Sequence, residues 1–520
     1  MKKLIIAAIF LVALASCTKD FESENQNPWQ ISDEMLKQDF NLVGSPFSGM
    51  LYNLYGGQIE EDLCQDSWMG HLNTPTPFVG NVNNTTYYIR WNSYWGRVYG
   101  SVMSPAKQVI RLAKENDLPL FATWAKLIKI LSVSKGTAWY GPMIYTNYGS
   151  TANSILYDKE SDLYNLFFAQ LDSIQTDFAA NKDYAGFTKF DPSYKGSIPQ
   201  WMKVVNSLRL RLAMRIEKVA PELAKAQGEK AMSDPAGLIT TNADNFNVAL
   251  LGNKIYMAVI CFEWDDTRMG AVIQSFMQGL NDGRISKFFQ GPNLAQNPAL
   301  ASYSYLGIRN GAYCDAKIDR VPYSRVSSDF QTVQTRRCIT AAEVSFLKAE
   351  AALRGWAGAG DAKTNYENGI RLSFADWGAG GVDAYIADAT SKPIDYVDPK
   401  DARNNFTASS TITVAWNESD NNELKLEKIM TQKWINNFTN SLESWCDFRR
   451  TGYPKIPHVA KNDSSPDWGV IPADEWIKRM PFVNAERTGN SAAVADATQK
   501  LGGPDLISTR LWWDTGGPNF

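Results

Sequence analysis

The strongest constraint on the fold is a spacing. In ITAAEVSFLKAEAALRGWAGAGDAKTNYENGIRLSF, which begins at Ile339, two helical stripes follow one another. Phe346, Ala349 and Leu353 share one face of a first helix. Ala362, Tyr366 and Gly369, at i, i+4 and i+7, share one face of a second. The step of nine residues from Leu353 to Ala362 is that of two paired helices. Such a pair buries its apolar face only against a neighbouring pair, so the chain must stack helices into a scaffold from which long loops project.

The large-then-small alternation follows the tetratricopeptide pattern, with two departures: Glu350 stands where a small residue is usual, and no proline ends the second helix. Other helices are expected where apolar residues recur at helical period. Ser32 caps a helix beginning Asp33-Glu34. A helix covers about 96–115 and breaks near Pro119. Trp124, Leu127, Ile128 and Leu131 mark the next, closed by the Gly-Pro turn of WYGPMIY. Another runs over about 161–178. After Pro199, Trp201, Val204, Val205, Leu208, Leu212, Ile216 and Val219 line one face, and Arg209, Arg211 and Arg215 fall off it, as on a solvated face. Helices return at about 340–354, 361–375 and 423–440, the last with Leu426, Ile429, Met430, Trp434 and Phe438 as its stripe. The fold class is mostly α. Degenerate tetratricopeptide-like helix pairs occupy about 31–245 and 340–440. An irregular insertion with few short strands fills about 246–338, and a loop-rich C-terminal wrap fills about 451–520, all within one domain spanning 31–520.

The first residues, MKKLIIAAIFLVALASC, set the address. Lys2 and Lys3 precede an apolar run, Leu4 to Ala15, of secretory type. Leu14-Ala15-Ser16-Cys17 resembles the lipobox of bacterial lipoproteins, cut before the cysteine and lipidated on it. Residues 1–16 are therefore read as a signal peptide and 17–30 as lipidated Cys17 and a flexible tether. Several acyl chains anchor stably, at about 0.8 kcal/mol per buried methylene. The acidic stretch after Cys17 looks like an export signal to the outer face of the outer membrane.

Composition narrows the chemistry. A net charge of −3 gives no field to steer nucleic acid. His71 and His458 are the only histidines, which argues against His-rich metal sites and against Ser-His or Cys-His triads. There is no GxxxxGK[ST] loop and no GxSxG elbow, and no cofactor is implied. Beyond Cys17, the cysteines at 64, 261, 314, 338 and 446 show no CxxC spacing. Most read as buried small hydrophobes, and Cys314 with Cys338 is the pair open to bonding. Aromatic residues are plentiful, with 17 Trp, 22 Tyr and 24 Phe, more than a core alone asks for.

AAEVSFLKAEAALRGW with DAKTNYENGIRLSF, LEKIMTQKWINNFTNSLESWCDFRRTGYPKI, LRLRLAMRIEKV, WYGPMIY and the closing LWWDT, in this order after a lipobox, resemble the SusD/RagB family of nutrient-binding lipoproteins. One departure is visible: NDGR has Gly283 where such proteins commonly carry proline, with a local effect expected. The resemblance implies a non-catalytic surface lipoprotein that captures glycan, or peptide in some members. It would hand that cargo to a TonB-dependent transporter of the SusC/RagA type, over which it sits as a hinged lid. A glycan-processing enzyme using two carboxylates and a pure assembly scaffold are the remaining alternatives.

A sugar binder needs exposed aromatic faces and planar polar groups held on loops. The stretch 64–95 reads as loop and offers Asp66, Trp68, His71, Asn73, Tyr87, Tyr88, Trp91 and Trp95. Trp68 and Tyr87 are expected to be exposed. Trp91 and Trp95, four apart, fit equally a helix start packed inward. In EWDDTR, Trp264 is a second stacking candidate. Glu263, Asp265 and Asp266 are a weak calcium candidate, against an Asp266–Arg268 ion pair that fixes the turn. Tyr303, Tyr305 and Arg309 lie in the insertion, while Arg449 and Arg450 read as structural pairs.

Overall fold

Helices form where the apolar stripes predict them, and their ends are chemically marked. The structure, a computed structural model, describes residues 38–520. The signal peptide, Cys17, the tether and the Ser32 cap lie outside the described residues. Helices α1 (Ser104–Glu115), α2 (Pro119–Tyr140), α3 (Glu160–Ala179), α4 (Ile198–Arg215) and α5 (Pro221–Ser233) fill the first half. Helices α6 (Ala341–Leu353), α7 (Ala362–Trp377), α8 (Asn422–Asn436) and α9 (Ser441–Thr451) follow the insertion. Proline supplies the first turn of α2, α4 and α5, where its missing N–H costs nothing. Thr340, Asp361 and Asn421 cap α6, α7 and α8 by accepting from a backbone N–H three residues on. The run Tyr94–Met103 ahead of α1 is also helical, with a widened turn over Arg97–Met103.

Neighbouring helices pack in sequence order, α1 on α2, α2 on α3, α3 on α4 and α4 on α5, and α6 joins α4 to both α7 and α8. The α6–α7 pair is the one the spacing foretold. A Cβ on Gly369 would lie 2.6 Å from the Phe346 ring, so only glycine lets the two helices approach this closely.

Glu350 explains its own departure from the repeat pattern. Its carboxylate is fully buried and takes both Arg450 (2.6 and 2.7 Å) and Arg354 (2.8 Å), clamping α6 to α9. The arginines of α4 follow the same logic and correct the expectation of a solvated face. Arg209, Arg211 and Arg215 are buried, because each finds a carboxylate: Asp172, Glu343 and Glu443 in turn. Arg450 is structural as read, and Arg449 is held by the carbonyls of Trp445, Lys478 and Ala138.

Strands are few and short. β1 (Leu72–Asn73) pairs antiparallel with β3 (Arg268–Met269), which stitches the insertion to the first half, and β2 (Phe246–Ala249) pairs with β4 (Thr335–Ile339), which closes the two ends of the insertion on each other. The C-terminal wrap is mostly irregular but includes helices Asn484–Gly489 and Ser491–Leu501. Cys314 and Cys338 do not pair; all five described cysteines are free and buried. At Gly283 a Cβ would stand 2.6 Å from the Gly380 carbonyl, a local reason for a residue without one.

Burial alone would raise the Glu350 carboxyl, but the Arg450 and Arg354 guanidiniums hold it down at about 2. A depressed folded value means that the clamp stabilises fully above the ordinary carboxylate range and is lost as pH falls through about 2. Glu350→Ala is expected to cost about 3–5 kcal/mol at neutral pH, because it strands a buried cation. Urea unfolding at pH 7 and in acid should show that this gap narrows at low pH.

Candidate ligand-binding site

The stretch 64–95 reads as loop, yet it opens inside a buried helical turn of the wide, i→i+5 type over Gln58–Asp66. Each acid has found a partner. Glu60 accepts from Ser93, Glu61 pairs with Arg336, and Asp62 accepts from Thr267 at 2.5 Å. Asp66 accepts from the Tyr256 hydroxyl at 2.5 Å. Burial raises the Asp66 carboxyl to about 6, and the Glu61 charge beside it pushes in the same direction.

This burial corrects most of the first candidate set. Trp68 is 2% exposed; its Nε1–H donates to the Asn84 carbonyl and its ring packs 4.9 Å from Trp445. His71 is fully buried against Trp434, with Nε2 3.0 Å from that residue's carbonyl and Nδ1 2.7 Å from Ser441 Oγ. Burial lowers it to about 3, so the ring is neutral. Asn73 donates to the Arg309 carbonyl at 2.6 Å, and Asn73, Tyr87, Trp95 and Arg309 are all buried. These side chains shape the loops that carry a surface but present no face to a ligand. Polar flanks suggested exposure; here the flanks themselves are buried and bonded.

Two aromatic features remain open to solvent. Tyr88 is exposed, and nearby the half-buried Trp91 has Phe78 edge-on at 5.3 Å and the Arg90 guanidinium 5.4 Å from its ring centre. Trp264, half exposed, stands at a cleft of about 480 Å³. Tyr52, Gln58, Arg97, Lys254 and Tyr256 line it with Trp264. Arg336 forms its floor, with its guanidinium 3.9 Å from the Tyr55 ring centre and 4.6 Å from that of Tyr256. The size suits one or two rings of a small ligand, and the lining offers stacking faces beside amide and charged groups. Among these residues only Trp264 was legible as a candidate. The others come from segments some two hundred positions apart, and no local pattern marks them.

Asp266, two residues from Trp264, ties the cleft residue Gln58 to two other segments. Its carboxylate receives Thr76 Oγ1 at 2.5 Å, Lys317 Nζ at 2.5 Å and Gln58 Nε2 at 3.4 Å. The turn-fixing ion pair is therefore Asp265 with Arg268 (2.9 Å), not Asp266 with Arg268. The calcium reading of 263–266 is corrected by the same bonds. Glu263 holds Lys254, Asp265 holds Arg268 and Arg325, and Asp266 holds Lys317. No cluster of three or more metal-ligating side chains occurs among the described residues. Tyr303 and Tyr305 are half-buried, and the Tyr305 carbonyl accepts from Gln274.

Trp68→Ala is expected to cost about 3–5 kcal/mol in unfolding free energy, the cost of an emptied core position. In infrared spectra a protonated carboxyl band should disappear with a midpoint near pH 6, and Asp66→Asn should lack it.

A model of the SusD-like family, described as Susd and RagB outer membrane lipoprotein, matches residues 23–514. Among solved structures, a chitin-binding SusD homolog from Flavobacterium johnsoniae is 37% identical, covers 92% of this chain and 100% of its own, and superimposes with a TM-score of 0.87. A SusD homolog from Bacteroides uniformis is 33% identical over 91% of this chain and 99% of its own, with a TM-score of 0.82. A SusD-like protein from Bacteroides thetaiotaomicron is 30% identical, with the same coverages and a TM-score of 0.83. No curated protein matches the chain.

Proposed function

The chain belongs to the SusD-like family of outer-membrane lipoproteins, and from that premise we propose that it binds an oligosaccharide in the Trp264 cleft without changing it chemically. Cys17 carries the lipid, and the domain faces the cell exterior. There it delivers cargo to a SusC/RagA-type TonB-dependent transporter, acting as its lid.

The observation that carries this reading is the half-exposed Trp264 indole beside a polar cleft. Pyranose rings offer apolar C–H faces that stack on an indole, while their hydroxyls need planar amide and charged partners. Gln58, Asn253, Lys254 and Glu263 supply those groups at the same cleft. Tyr88 and Trp91 offer a second aromatic surface for a longer chain. The chitin-binding relative makes N-acetylglucosamine oligomers the first cargo to test.

The test is titration calorimetry on the chain begun after Cys17, with chitin oligosaccharides and, separately, a peptide digest. Trp264→Ala is expected to weaken glycan binding about tenfold, or about 1.4 kcal/mol, with Tm unchanged. Binding of peptides alone, or glycan binding indifferent to Trp264, would overturn the assignment. Co-purification with the transporter tests the lid role independently.

A further inference from the structure

The buried arginines of this protein are compensated, with one exception. Arg215 holds Glu443, Arg284 holds Asp282, Arg336 holds Glu61, Arg450 holds Glu350 and Arg479 holds Asp505. Arg449 lacks a carboxylate but donates to three backbone carbonyls. Arg309 has neither arrangement. It is 6% exposed, and among the described residues no carboxylate acts on it. Its Nη2 donates to the His458 carbonyl, and its Nε–H and Nη1–H have no partner. Burial lowers it only to about 10, so the guanidinium stays charged at neutral pH. Such a charge is costly to leave alone, since its desolvation is not repaid.

The surroundings are rigid and supply further donors. Residues 310 and 311 are bonded to 457, 460 and 461: Asn310 donates to the Pro457 carbonyl, Ala460 to Asn310, and Lys461 to Gly311. Phe406 lies under the guanidinium at 4.6 Å. The Tyr87 hydroxyl is buried nearby, and the Arg309 charge favours its ionisation. Trp476 Nε1 is unpartnered, and its ring lies 3.9 Å from that of His458. His458 and Trp476 line a cavity of about 190 Å³ together with Pro457, Ser409 and Lys455. Arg309 is too deeply buried to meet an oligosaccharide. Water would satisfy an N–H but leave the charge uncompensated, whereas a small anion answers both needs, and its attraction is little screened at this depth.

We propose that Arg309, on the buried side of the 457–461 segment, is a structural binding site for a small monovalent anion of the chloride class. The anion fixes the irregular C-terminal wrap to the insertion and takes no part in cargo binding.

The experiment uses the chain begun after Cys17, in sodium gluconate, chloride or bromide at equal ionic strength. Wild type is expected to show a saturable rise in Tm with halide over gluconate. Arg309→Met should lose that rise, while Trp264→Ala should keep it. Crystals grown in bromide should show an anomalous peak beside Arg309, a readout that needs no variant to fold. Equal Tm in gluconate and halide, or density there without bromide signal, would overturn the proposal. So would a bromide peak with no shift in solution, which marks an adventitious ion only.

Discussion

Buried carboxylates shared between arginines are the interaction on which the helical scaffold depends. Glu350 takes Arg354 from the end of its own helix and Arg450 from α9. Glu443, on α9, takes Arg211 and Arg215 from α4. Glu343, one turn into α6, takes Arg211 as well. Three helices far apart in sequence are thus joined by charges that hydropathy would send to the surface. A single unpaired member would leave an ion in a dry interior, so the network enforces one arrangement of helices more strictly than apolar contact alone does. Lys433 and Asp447 add a further tie between α8 and α9.

The helices were legible because their evidence is local. A stripe of period 3.6, a capping residue and a proline at the first turn all sit within one helix. The pairing of α6 with α7 could be read as well, since its large and small residues lie within some thirty positions. What could not be read depends on distant partners. Arg211 looks solvated until Glu343 and Glu443 are beside it. Asp66 looks like a loop residue until Tyr256 donates to it. Trp68 was misplaced for the same reason: its neighbours in sequence are polar, but they are buried and bonded, so a tryptophan among them is core.

The candidate site follows a related rule. The residues that were recognisable as sugar-binding types in 64–87 turned inward, where they brace the loops. The exposed aromatic groups are at the rim, at Tyr88 and Trp264, and the polar lining comes from 52–58 and 253–263. The rigid scaffold therefore acts on the surface indirectly: it fixes the backbone of the irregular segments, and those segments present the exposed side chains.

Asp266 gives that division a further meaning. One carboxylate gathers Thr76, Lys317 and Gln58, each from a different segment, while its neighbour Trp264 is half exposed to solvent. The junction and the contact surface are separate residues only two positions apart. A change of side chain at position 264 therefore alters the exposed surface without breaking any of the three bonds that hold the joint.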